Sequence, residues 1–333
     1  MASHTFSADK AAFFLFDDRP HKHTWRRLGI AYVLARLVLI ALILVIAAPF
    51  VISTLPNLTG MDPQSDAFKT QLQGSIQIIQ SVGYLGAILF LPIFAAIYTA
   101  LLRWMIRGQS GGKWFGLRFG QDEINVLVVL IALFVVVLFA ALLALIPLAV
   151  LIAIAVALKG GSLGGVFIAL SILYALVWLA AVIWFSVRLS PAPALTVKHG
   201  KIQVFETLAI SRGHFWGLFL AYVVQFFILL ALSLGLVFAG LLVSLPFLGA
   251  GLALFGGDEP SMANVGAYIA LAAVPLLFFA LMGLAIEYLR YAMGAGVGAC
   301  LVMAEDQDQT PAQRPDPEPA SPRDDGQTSQ SEA

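Results

Sequence analysis

Six long apolar runs, at residues 28–53, 77–102, 124–157, 163–187, 215–246 and 266–289, constrain this chain more than any other feature. Each reaches the roughly 20 residues a helix needs to cross a hydrocarbon core about 30 Å thick. An open strand would leave backbone N–H and C=O groups bare in lipid, and a barrel would show shorter, alternating segments. The runs therefore predict an all-α polytopic membrane protein with six transmembrane helices arranged as three two-helix hairpins. Sixty per cent hydrophobic residues against 11% charged agrees, because a soluble domain rarely departs so far from average usage.

The polar segments give a direction. Arg103, Arg107, Lys113 and Arg118 follow the second run, and Arg188, Lys198, Lys201 and Arg212 follow the fourth, whereas the alternate loops hold only Lys69 and Lys159. Under the positive-inside rule both termini are cytoplasmic and three hairpins project outward. Trp25, Trp104, Trp114, Trp184 and Trp216 lie at the same basic ends, as interfacial anchors do; Trp178 lies deeper. Lys10, Arg19, Lys22, Arg26 and Arg27 precede the first run like a signal-peptide n-region, but the run is too long for an h-region and reads as an uncleaved span.

Three regions follow: a cytoplasmic segment 1–27, a six-span domain 28–303, and an acidic tail 304–333. The first 303 residues carry 17 basic and 11 acidic groups, the tail 2 and 8. Rich in Pro, Gln, Ser and Asp, the tail lacks the apolar surface to fold and is expected to be disordered, either solvated or clamped on the basic face. The single cysteine, Cys300, precludes an internal disulfide and reads as apolar filler.

Runs one, three and five carry Pro49, Pro147 and Pro246 in similar surroundings, and runs two, four and six end at Arg103, Arg188 and Arg290. This suggests a threefold parallel repeat of two-helix units. Glu287 and Arg290 would by default be intramembrane charges with a functional role. Aligned with Arg103 and Arg188, however, Arg290 falls at the cytoplasmic boundary, paired with Glu287 one turn earlier. Residues 291–303 would then lie at the interface or fold back among the helices. Arg36 lies about 12 Å along the first span, facing either the bundle interior or, by snorkelling, the inner headgroups. Glu287 is its one plausible acidic partner within a span.

Spans three and five exceed the bilayer and would tilt, kink near proline or project, whether lining a cavity or packing with generous ends. Glycines 160, 161, 164 and 165, and 249, 251, 256 and 257, mark the outer turns.

Catalytic signatures are weak. Gly108-Gln109-Ser110-Gly111-Gly112 fits G-x-S-x-G but follows a span rather than a strand, and Gly160 to Gly164 fits it again in a turn. His4, His21, His23, His199 and His214 lie outside the spans at no metal-ligand spacing, and no phosphate-binding glycine motif occurs. No enzyme activity, cofactor, metal or nucleic-acid partner is expected.

The richest polar segment runs from Arg188 to Trp216. Val204, Phe205, Leu208 and Ala209 recur at helical spacing, predicting an amphipathic helix over 202–211 on the inner leaflet. Arg188, Arg212, Gly213, Phe215 and Trp216 are the candidate contacts for anionic lipid headgroups or a membrane protein partner, unless the cations only enforce topology. Arg188-Leu189-Ser190, Pro193-Ala194, Thr207-Leu208-Ala209-Ile210-Ser211-Arg212-Gly213 and Phe215-Trp216 resemble the membrane domain of bacterial glycerophosphoryl diester phosphodiesterases and YciC-like inner-membrane proteins. That family reads S-W-x-L-T-[RK]-G where this chain has Thr207, Leu208, Ile210 and Ser211. The resemblance covers about 30 residues and implies a helical bundle without hydrolysis, since no soluble phosphodiesterase domain accompanies the spans.

The expectation is a non-enzymatic scaffold or envelope-homeostasis factor that contacts headgroups and partner proteins. The alternative is a transporter or lipid-moving protein with a cavity between hairpins, using Arg36 and Glu287.

Overall fold

A computed structural model of the protein describes residues 6–17, 23–59, 65–109, 117–158, 161–255 and 262–309. The second to fifth residues of the first G-x-S-x-G match other than Gln109, as well as Lys113, Trp114, Gly160, Gly256, Gly257 and the tail from 310, lie outside these residues, as do His4 and His21. All regular structure among the described residues is helical. Six helices are long and apolar enough to span a membrane: α2 (His23–Thr59), α3 (Asp66–Arg107), α4 (Gln121–Ala157), α5 (Ser162–Leu189), α8 (Phe215–Phe255) and α9 (Met262–Gln309). Three short helices complete the fold, α1 (Ala8–Phe13), α6 (Ala192–His199) and α7 (Thr207–Ile210), with a 3-10 turn at Phe14–Phe16.

Pro92, Pro147, Pro246 and Pro275 lie inside helices that continue through them. Each removes one N–H from the ladder, a loss that spans tolerate. Ser65 starts α3 by accepting the Phe68 N–H at 3.2 Å.

Helices adjacent in sequence pack together, α2 on α3, α4 on α5 and α8 on α9. The core lies at the basic end, where Leu28, Tyr32, Leu101, Leu102, Trp104, Val126, Leu195, Met293 and Leu301 are buried. Along the membrane the helices are far more open. Only 6% of the apolar window of α5 and of α8 is buried, against 50% for α3, so Val, Leu and Phe side chains of α5 and α8 face outward to lipid.

Residues 291–303 form neither a fold-back nor a loose stretch. They continue α9 as helix, with Ala292, Met293, Ala295, Val297, Ala299, Leu301 and Val302 buried against α1, α3 and α6. Small residues make this possible: a Cβ on Gly298 would stand 3.3 Å from the Pro191 Cα, so the two backbones nearly touch. With 48 residues α9 is about 72 Å long, well beyond a bilayer. Its helical turns carry residues 304–309, the start of the acidic tail.

The amphipathic helix expected over 202–211 is also corrected. The helix of this segment is α6, buried from Ala192 to Val197, and it stops where Gly200 adopts φ +68°. Residues 201–206 are irregular, and only Thr207–Ile210 form a turn of helix. The apolar spacing misled because Val204 points into the core while Phe205 points out, as in an irregular chain, rather than both sharing one helical face.

Candidate functional site

At the basic end Arg103, Arg107, Arg188 and Lys198 are engaged by the protein itself. Arg103 and Glu123 form a buried ion pair between α3 and α4. Glu123 also accepts the Gly120 N–H at 2.9 Å, closing the first turn of α4. One turn further along α3, Arg107 meets Asp122 at 2.9 Å and donates to the Val197 carbonyl of α6. Asn125 donates to the Gly200 carbonyl at 3.0 Å, and Lys198 to the Val302 carbonyl at 3.2 Å. Buried charge is tolerated only when paired, and here pairing fastens α3, α4, α6 and α9 into one block.

Arg188 is half-buried and makes a separate set of internal contacts. Its Nε donates to Ser211 Oγ at 3.1 Å, a second nitrogen donates to the Leu208 carbonyl, and the guanidinium lies 4.8 Å from the centre of the Trp184 ring. It clamps the α7 loop to the end of α5. The other candidate contacts face outward to different degrees. Arg212 is exposed, Gly213 is exposed with φ +86°, and Trp216 is 76% exposed. Phe215 is half-buried, its ring stacked on Phe219 at 6.0 Å. Lys201 is exposed on the same segment.

Within the spans, Arg36 of α2 donates to Glu287 of α9 at 2.8 Å. The same guanidinium lies 4.3 Å from the centre of the Phe90 ring, and Tyr32 meets Phe90 edge-on at 5.5 Å. Glu287 is thus taken by Arg36 and not by Arg290, contrary to the pairing expected from their spacing along one helix. The α2–α9 contact brings a donor from another helix to the carboxylate, and among the described residues no ion pair holds Arg290. Nor does Arg290 end its helix: α9 runs on to Gln309, and Gly298, eight residues or about 12 Å beyond Arg290, is the residue that lies beside the end of α5.

Arg290 is exposed and lines a cavity of about 670 Å³ between α8 and α9, bounded also by α3 and α5. Tyr98, Ser190, Tyr222, Gln225, Ser233 and Tyr291 supply its polar groups, and Phe226, Leu229 and Leu230 its apolar wall. Gln225 is already committed, donating to the Met293 carbonyl at 2.8 Å, and Ser233 donates to the Leu229 carbonyl at 2.7 Å. A second cavity of about 500 Å³ between α4 and α5, around Val137, Leu143, Trp178 and Phe185, is almost wholly apolar.

The sequence drew attention to Arg290 but not to Tyr98, Tyr222 and Gln225. These read as ordinary span residues until the helices are placed. A guanidinium, hydroxyls and an apolar wall, with no carboxylate among the lining residues, can hold an anion attached to an apolar body. No family model matches the chain, no curated protein matches it and no solved structure matches it.

Proposed function

We propose that this chain is a non-enzymatic protein of the bacterial cytoplasmic membrane, with both termini inside. On this reading it acts as a scaffold or envelope-homeostasis factor whose basic end gathers anionic lipid headgroups and a membrane protein partner. The supporting observation is the division of labour among the cations. Arg103, Arg107 and Arg188 are consumed by internal bonds, whereas Arg212 and Lys201 stand exposed on the same segment as the exposed Trp216, with no ion pair among the described residues. Each such cation near an anionic leaflet contributes about 1 kcal/mol of attraction, and an exposed tryptophan anchors at the same depth. Likeness to the membrane domain of glycerophosphoryl diester phosphodiesterases, carried by Arg188 to Trp216, supports a helical bundle without hydrolysis.

Reconstitution in nanodiscs that mix zwitterionic and anionic lipid tests the reading. Anionic lipid should be enriched around the wild-type chain, and the Arg212→Gln, Lys201→Gln double variant should lose most of that enrichment. Equal enrichment in both would remove the support.

The second reading, a lipid-moving protein or transporter, is favoured by the cavity that Arg290 lines. Transfer of labelled lipid between leaflets of vesicles carrying the purified chain, at a rate above empty vesicles, would select it over the scaffold.

A further inference from the structure

We propose that the cavity between α8 and α9 binds one anionic glycerophospholipid, with its phosphate on Arg290. The inference takes its ligand class from the headgroup reading above, but the site is separate from the exposed Arg212 and Lys201.

The charge balance of α9 points to an anion. Glu287, one turn from Arg290 and its natural neutralising partner, is held by Arg36 at 2.8 Å. Arg290 is left with no ion pair among the described residues, in a cavity with no carboxylate among its lining residues. Such an arginine attracts a phosphate, which its planar fork grips through two N–H groups. Tyr98 and Tyr222 place phenol groups along the same wall, while the Ser190 hydroxyl beside them already donates to the Val187 carbonyl at 2.7 Å.

The apolar half of the cavity points to a lipid rather than a free anion. Phe226, Leu229 and Leu230 line it, and Phe226 is 61% exposed, so the cavity opens along the outward face of α8. A volume of about 670 Å³ accommodates a phosphate headgroup with its glycerol, not two acyl chains. The chains would run along α8, of whose apolar window only 6% is buried by protein. Free phosphate would leave that wall unused.

Native mass spectrometry of the full chain, extracted from membranes in mild detergent, tests the proposal. One phospholipid per chain should persist, and Arg290→Gln should lower its occupancy about tenfold or more, as loss of a charge-assisted contact does. Arg290→Lys should retain an intermediate level. Leu229→Trp, which fills the cavity without touching the charge, should also expel the lipid, and this guards against a fold defect peculiar to position 290. Wild-type occupancy in Arg290→Gln and Leu229→Trp overturns the proposal. Loss in the Arg212→Gln, Lys201→Gln variant but not in Arg290→Gln also overturns it while sustaining the headgroup reading; the reverse pattern sustains the cavity site alone. Inorganic phosphate or glycerophosphate displacing the lipid at low millimolar concentration would identify a free-anion site and overturn the lipid assignment.

Discussion

The Arg36 guanidinium and the Glu287 carboxylate, 251 positions apart in sequence, meet at 2.8 Å and join the first span to the last. Their side chains remain about a quarter exposed, so lipid or water reaches the pair and it is weaker than a fully buried one. Removing either charge strands the other at membrane depth.

Glu287→Gln or Arg36→Gln should therefore lower stability by about 1–3 kcal/mol, and the double variant by less than the sum of the two. Thermal unfolding in detergent, run as a double-mutant cycle, measures this. Additive effects would mean that the two groups do not interact in the folded chain.

Arg103 and Glu123 are more deeply buried, and their loss should cost more. Glu123→Gln should destabilise by about 3–5 kcal/mol because it also abandons an uncompensated guanidinium. Arg103→Met combined with Glu123→Leu should recover much of that loss, by replacing the pair with apolar side chains of comparable size. The unfolding midpoints of the single and paired variants decide the matter.

Gly298 packs against the Pro191 backbone, which cannot rotate away as a side chain can. Gly298→Val should cost about 1–3 kcal/mol through overpacking, and Gly298→Ala less. Gly235 and Gly283 have open space where a Cβ would go, so alanine there should change stability by no more than about 1 kcal/mol. Equal sensitivity at all three positions would contradict the close approach of α9 to the end of α5.

Lys201→Cys and Arg212→Cys, each in a Cys300→Ala background, report the orientation. A membrane-impermeant thiol reagent should label both in inverted vesicles and neither in intact cells. Labelling from the outside would reverse the assignment of the basic end to the cytoplasm.

The six spans were legible because bilayer crossing demands an apolar run of a length that little else in a protein requires. The Arg36–Glu287 pair was legible in outline, since Glu287 is the one acid within the apolar runs. The fate of Arg103 and Arg107 was less so. Both were counted as cations that set topology, although Asp122 and Glu123, two acids standing at the head of the next run, were the available signal that partners awaited them. The buried α6 was hidden for a different reason. Pro191 and Pro193 look like breakers, yet Pro191 precedes the helix and Pro193 falls in its first turn, where the absent N–H costs nothing. Nothing in the pattern of residues 291–303 told a pillar of small side chains from a loose interfacial stretch, because that distinction rests on what packs against them.

The contrast between a tightly knit basic end and sparsely buried spans has a mechanical consequence. α5 and α8 each bury only 6% of their apolar windows, so beyond their contacts with α4 and α9 their flanks are left to lipid, and the six long helices are tied to more than one neighbour chiefly at the ion-paired roots.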